Sequence, residues 1–327
     1  LYASTWGHSP DIIEGPTIMS TESLHTPVAF FVFNRPGTTR RVFEAIARAK
    51  PEKLLLIADG PRPDREGEAE GCGKVREIVA QVDWPCEVLQ NFSQRNLGCA
   101  ERMISGLNWV FSVAEEAIVL EDDCLPDQSF FYFCQELLER YRGDDRVSYI
   151  SGDNLIGSYR KPTESYYFSR IGGIWGWATW RSEWLRYDRH LGCWPEVKSR
   201  RLLEEIFDEP EVVQFWTRIF DAMYEKRGPD TWDYQWLYTG LKNNSISAVP
   251  SVNLVANIGF GAGATHTIGE DTRFMLSAVA MEFPLRHPVS YIPLSSLDQR
   301  RIQDMLPPSR VKRIWNRLRR FGGKIRP

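Results

Sequence analysis

The sequence predicts an α/β protein built on a doubly wound, mostly parallel sheet. Three observations predict it. Short apolar runs alternate with segments of helical periodicity from Pro27 to Pro126. The connections between them are short, as in parallel β-α-β units. Three of the four apolar runs end in polar signatures, Asn34-Arg35, Asp59-Gly60 and Glu121-Asp122-Asp123. An open α/β sheet places such ends along one edge, where ligands bind.

The elements follow in chain order. Pro27–Phe33 is a continuous apolar run, as a strand buried on both faces must be, and Asn34-Arg35-Pro36-Gly37 is a turn. Thr38 and Thr39 can cap the next helix, with Val42, Phe43, Ile46 and Ala47 inward. Leu54–Ala58 is the second strand, Pro63–Gly73 a polar, Gly-rich loop, and Val75, Ile78, Val79 and Val82 mark a helix. Cys86–Leu89 is a third strand, followed by the polar loop Asn91–Gly98 and a helix from Cys99 to Phe111. The fourth strand, Ala117–Leu120, runs straight into three acids. Three carboxylates at the end of a buried strand need their charge offset, and a hard divalent cation with oxygen ligands is the simplest offset.

Beyond Pro126 the pattern loosens. Phe130–Tyr141 reads as a helix, Val147–Ser151 as a strand and Ser165–Arg170 as extended chain, with helices over 199–207, 211–226 and 231–242. Ile171–Trp180 mixes glycine with tryptophan, which serves either a substrate wall or a tight core corner. A second run of ligand-like residues spans Pro250–Thr267 and contains His266, a candidate metal ligand or diphosphate contact. The organisation expected is a domain over 27–290, its nucleotide-binding half at 27–126 and its acceptor half at 127–290. Before it lies a disordered or over-extended segment, 1–26, and after it a basic tail, 291–327. Ser309–Pro327 carries eight Lys or Arg and no acid, with Val311, Ile314, Trp315 and Leu318 at helical spacing. Residues 310–327 are therefore expected either to lie on an anionic membrane surface or to pack as a solvated helix.

Composition narrows the function classes. With 327 residues, 43% hydrophobic and a formal net charge of −3, the chain is of ordinary globular type, and nucleic acid is not expected as its partner. Six cysteines without CxxC or zinc spacing fit reduced thiols in a cytoplasmic protein, on the inner face of the membrane if the tail binds there. Twelve tryptophans, many between Trp175 and Trp236, hint at an aromatic-walled pocket. There is no GxGxxG after the first strand and no GxxxxGK[ST], so the dinucleotide and P-loop phosphate cradles are both missing.

Glu121-Asp122-Asp123 after an apolar strand, then Gly176-Trp177, then Trp232-Asp233 with Trp236, then a glycine-bearing segment ending near His266, form an ordered set. In this set the chain resembles GT-A-fold glycosyltransferases over roughly residues 27 to 270. Within them it is similar to the bacterial haemolytic-protein-like glycosyltransferases, and more remotely to the N-acetylglucosaminyltransferase I family. The resemblance implies that Asp123 binds a divalent metal, Mn²⁺ or Mg²⁺, bridging the donor diphosphate. It implies that Asp122 and Glu121 hold the ribose, that Arg35 and Asp59 contact the base or a phosphate, and that Asp233 is the general base. Gly176 and Trp177 join the donor-binding set. The family carries two adjacent acids before its tryptophan where this chain has Asp233 alone, so Asp230 is the alternative base. The family's second base-contacting segment has no clear match; Gln94, Arg95 and Asn96 stand there, and Arg95 and Arg170 are candidate phosphate contacts.

The chemistry requires the same groups. Glycosyl transfer needs the departing diphosphate neutralised, the acceptor hydroxyl deprotonated and the donor aligned. An apolar surround of Trp232, Tyr234 and Trp236 would make Asp233 a better base. One base opposite the leaving group gives inversion. The expected function is metal-dependent, inverting transfer of a hexosyl or N-acetylhexosaminyl group. The donor is a nucleoside diphosphate sugar, uridine-linked by preference, and the acceptor a hydroxyl of a glycan or lipid-linked glycan. The alternatives are a sugar nucleotidyltransferase and a non-catalytic glycan-binding or membrane-associated protein.

Overall fold

The computed structural model describes residues 24–156, 163–259 and 276–306. The first half alternates strand and helix: β1 (Val28–Val32), α1 (Pro36–Ala49), β2 (Lys53–Ala58), α2 (Glu68–Val79), β3 (Glu87–Phe92), α3 (Cys99–Val113) and β4 (Glu116–Glu121). Then come β5 (Cys124–Pro126), α4 (Gln128–Arg140), β6 (Val147–Ser151), β7 (Tyr166–Ser169) and β8 (Trp177–Trp180). Four helices follow, α5 (Arg181–Trp184), α6 (Trp194–Ser199), α7 (Pro210–Tyr224) and α8 (Asp233–Lys242), with a 3-10 turn at Leu202–Glu205 after α6. The chain returns through β9 (Ile246–Pro250) and β10 (Val255–Asn257) and ends its described part in α9 (Ser295–Met305).

The main sheet has the order β3-β2-β1-β4-β8-β6-β9-β7. Strands β3, β2, β1, β4, β6 and β9 run one way, and β8 and β7 the other. This is the mostly parallel α/β sheet the sequence predicts, in a Rossmann-like arrangement. Every residue of β1 is buried, because helices cover both faces. Val28, Phe30 and Val32 join α1, α2 and α4 in one core, while Ala29 and Phe31 meet α3 in the other. A second, two-stranded sheet pairs β10 antiparallel to β5, directly after the acidic triplet.

Several local expectations are corrected. Helix α1 begins at Pro36, and Thr38 and Thr39 lie in its first turn, where both hydroxyls donate to Arg35 O. Proline at the first helical position needs no amide partner, so no hydroxyl cap is required. The Pro63–Gly73 loop is helical from Glu68, because the Glu68 carboxylate is tied down by Arg62 and by Asn34 Nδ2 at 2.9 Å. Strand β8 inserts antiparallel between β4 and β6. Of the leading segment 1–26, Leu24 is fully buried and the His25 and Thr26 amides donate to Gln135 Oε1, so these three residues belong to the body. The described start of the basic tail, 291–306, packs on the body. Leu297 and Ile302 of α9 are buried, and Leu294 N donates to Phe168 O at 2.9 Å. His266 and the basic segment 310–327 lie outside the described residues. Among the described residues no helix is long and apolar enough to cross a membrane. All six cysteines are free thiols.

Candidate active site

The carboxyl ends of β1, β2 and β4 border a cavity of about 610 Å³. The N-terminus of α3, Ile174-Trp175, the Asp230–Asp233 segment, and Asn257 and Gly259 complete its lining. The pleat of β4 distributes the acids. Glu121 continues the face of Ala117 and Val119, toward α3, and Asp122 takes the opposite face.

Asp122 is 2% exposed and is held from two sides, by Phe33 N to Oδ2 at 3.4 Å and by the Arg35 guanidinium on Oδ1. Arg35 Nη1 also donates to Asp123 Oδ2 at 2.9 Å. Among the described residues Arg35 thus provides the charge offset that the triplet demands, one guanidinium against three carboxylates. Burial works against the Arg35 charge, but Asp122 and Asp123 outweigh it and hold its pKa above the ordinary value. Burial pushes Asp122 up, with Arg35 opposing, and burial followed by the charges of Asp123 and Asp122 pushes Glu121 up. The cluster still has an excess of carboxylate over cation, and it would welcome a further positive charge.

Gly259 fits this cluster for a steric reason. A Cβ there would stand 2.2 Å from Asp123 Oδ2 and 2.9 Å from Arg35 Nη1. Ile258 N donates to Asp123 O at 2.8 Å, so the chain after β10 is laid directly over the triplet. Among the described residues Asp123 Oδ1 has only the weak Cys124 thiol contact at 3.7 Å. Among the described residues no group of three or more His, Cys, Asp or Glu is placed to hold a metal by itself. One open carboxylate oxygen in an electronegative pocket suits a cation that keeps most of its water ligands. It does not suit a self-contained protein cage.

The three other predicted acids differ in how they are engaged. Asp59 accepts from Gly60 N at 2.8 Å, from Leu97 N at 3.0 and 3.1 Å and from Asn96 Nδ2 at 3.0 Å. Its acceptor sites are spent on folding the loop 93–98 against the end of β2. Asp230 receives Cys99 N at 2.9 Å on Oδ2 and Ala100 N at 3.1 Å on Oδ1. It caps α3 from a distance, where Gly98 at φ 83° has no side chain to do so. Asp233 heads α8 and accepts Thr231 Oγ1 at 2.5 Å and Tyr234 N at 2.9 Å, both on Oδ1. Among the described residues its Oδ2 accepts no hydrogen bond, and the residue lines the cavity.

Four expected donor or phosphate contacts lie outside the cavity lining. Trp177 is 0% exposed and stacks on Trp232 with ring centroids 5.3 Å apart, so it is core and does not reach the cavity. Gly176, at φ 63°, packs against Val255, Leu120 and Phe130. It turns the chain so that Trp175, and not Trp177, lines the cavity. Arg95 is absent from the lining; its carbonyl accepts Ser93 Oγ at 2.6 Å. Arg170 lies by α9, its amide donating to Asp298 Oδ2 at 3.0 Å. Most of the clustered tryptophans form two aromatic cores, Trp177-Trp184-Trp232-Trp236 and Trp194-Trp216 with Phe220 and Tyr238. Of the described tryptophans, only Trp175 and Trp232 reach the cavity.

Sequence reasoning missed Arg62 and Arg102, both in the lining. Arg62 bonds Glu68 and lies over the Phe33 ring at 5.7 Å. Arginines in a helix's first turn or after a turn carry no local signature, and only the tertiary fold reveals them. Asn257 and Gly259 fall within the stretch flagged at 250–267.

No family model matches the chain, and no curated protein matches it. Among solved structures it is similar to a UDP-glucose pyrophosphorylase complexed with UDP-glucose, at 8% identity, over 69% of this chain and 90% of that one, with a TM-score of 0.33. It is also similar to a 4-diphosphocytidyl-2C-methyl-D-erythritolsynthase from Anaerococcus prevotii, at 8% identity, over 52% and 78%, with a TM-score of 0.31. Likenesses at this level carry nothing about activity.

Proposed function

We propose that the chain is a metal-dependent, inverting glycosyltransferase that uses a nucleoside diphosphate sugar and an acceptor hydroxyl of a glycan or lipid-linked glycan. One observation carries this reading. A carboxylate with an open oxygen at the end of β4, Asp123, and a carboxylate with an open oxygen at the head of α8, Asp233, border the same cavity. The first is suited to a diphosphate-bound cation and the second to a proton.

Asp123 would hold the metal, whose chemistry is to neutralise the departing diphosphate. Arg35 fixes the Asp122 and Asp123 carboxylates and adds a second positive charge to the diphosphate end. Thr231 and the Tyr234 amide orient Asp233 by binding Oδ1, which leaves Oδ2 to accept the acceptor hydroxyl's proton as that oxygen attacks the anomeric carbon. Attack on the face opposite the leaving diphosphate inverts that carbon. The Trp177-Trp232-Trp236 core under α8 keeps the base in place.

A thermal-shift screen of nucleotide sugars, with and without Mn²⁺, tests the reading. A ligand that binds only the folded state raises Tm, so at least one nucleoside diphosphate sugar should raise it, and only with metal. No shift with any of them, or equal shifts in excess EDTA, would contradict the proposal.

A further inference from the structure

Arg102 is 7% exposed, sits on α3 and lines the cavity. Its guanidinium has five N–H donors, yet among the described residues it makes one side-chain hydrogen bond, Nη2 to Asn91 Oδ1 at 3.0 Å. Its Nε is buried with no acceptor among the described residues. No carboxylate stands within ion-pair distance of it among the described residues, and Asp59 acts on it only from further off. Burying a guanidinium so sparsely satisfied is costly unless a ligand completes it.

Its position says which part of a ligand. Arg102 is anchored to β3 through Asn91 and stands with Asp59 and Asn96 at the β2–β3 side of the cavity. In the order β3-β2-β1-β4 the end of β2 lies two strands from the end of β4, about 10 Å at the usual strand spacing. A diphosphate held at Asp123 and Arg35 would therefore point its nucleoside toward Arg102. The carboxylate of Asp59, on the same side of the cavity, disfavours a phosphate there. It is also saturated with donors, so it has no lone pair left for an amino group of a base. What remains free at this end is a donor.

We infer that Arg102 reads the nucleobase of the donor by donating to the exocyclic oxygen at pyrimidine C4 or purine C6, and so selects bases with a carbonyl at that position (uracil, thymine, guanine) over those with an amino group there (cytosine, adenine). The inference rests on the reading of the cavity as a nucleoside diphosphate site. Keto bases offer a carbonyl oxygen where amino bases offer an N–H₂, which would face the guanidinium donor to donor. A hydrogen bond to a charged donor corresponds to about 10- to 100-fold in affinity.

The test is calorimetric titration of the full chain with UDP, GDP, CDP and ADP in Mn²⁺, for wild type and Arg102→Gln. Wild type should bind UDP or GDP at least about tenfold more tightly than CDP and ADP, and Arg102→Gln should erase that preference by weakening the keto nucleotides alone. Equal affinities in wild type, or a preference that survives the substitution, would overturn the inference while leaving the proposed function standing. A uniform loss of all four would assign Arg102 to the scaffold or to a phosphate and would also overturn it. Binding of none by wild type would overturn both readings. Arg102→Lys, which keeps charge and stem, makes the same comparison if the glutamine variant does not fold.

Discussion

Asp230 puts both carboxylate oxygens on the Cys99 and Ala100 amides, whereas Asp233 leaves Oδ2 clear of every donor among the described residues. Two acids three residues apart are thereby given different work. Asp233→Asn should leave nucleotide-sugar affinity within about twofold and lower transfer by about 10²-fold or more, as loss of a general base does. Asp230→Ala should instead lower stability by about 1 kcal/mol through the lost helix cap, measured by denaturant unfolding. If Asp230→Asn removed transfer with unchanged stability, the base assignment would move to it. Gly259→Ala makes a sharper local test. Its Cβ would displace the Asp123 carboxylate, so metal-dependent nucleotide binding should fall at least about tenfold with little loss of fold.

At the scale of elements, Glu68 fastens α2 to the turn after β1 by accepting from Arg62 and Asn34. The Arg62 hydrogen bonds hold the Glu68 pKa below the usual carboxylate range, although its burial opposes this. A depressed folded pKa stabilises the protein above the unfolded value, about 4.3, and that contribution is lost as pH falls through the lower, folded value. Glu68→Gln should therefore cost about 1 kcal/mol at pH 7. The gap from wild type should close below about pH 4; a gap that stayed constant down to pH 2 would refute the role. Helix α9 is bound in a similar way, through the buried pair Arg301–Asp153 at 2.9 Å. The same Asp153 carboxylate accepts the Trp175 amide at 3.3 Å and fills the space where a Gly173 side chain would be. Arg301→Met should cost about 3–5 kcal/mol, because it strands a buried carboxylate.

The elements legible in the sequence are those whose burial is simple. Pro27–Phe33, Leu54–Ala58 and Ala117–Leu120 are continuous apolar runs because both faces of these strands are covered. The acids at their ends were legible for the same reason, since a charge beside such a run must sit at its exit. What sequence could not show depends on tertiary partners. Gly71 and Gly73 look like loop residues until Glu68 is seen holding the helix start. Trp177-Ala178-Thr179-Trp180 becomes a strand by pairing with β4 and β6 on either side. The one-turn difference between Trp175 and Trp177 hangs on the positive φ of Gly176. Arg102 is an unremarkable helix residue until its missing acceptors are counted.

For the molecule as a whole, one sheet of eight strands carries both the order β3-β2-β1-β4 of the first half and the strands β8, β6, β9 and β7 of the second half. A continuous core runs beneath strands of both. The cavity forms where these halves meet, with the ends of β1, β2 and β4 on one side and the proposed base at the head of α8 on the other. Transfer should therefore need both an intact triplet and an intact α8 head, and it should stop in excess EDTA and return with Mn²⁺ or Mg²⁺. The most direct test is to incubate the chain with nucleoside diphosphate sugars, a glycan acceptor and Mn²⁺, and to identify the phosphorus product. Cleavage at the anomeric carbon releases the nucleoside diphosphate, and the account predicts that product from wild type and its loss in Asp233→Asn and Asp123→Ala. Formation of pyrophosphate from a nucleoside triphosphate and a sugar phosphate, with no nucleoside diphosphate released, would contradict it.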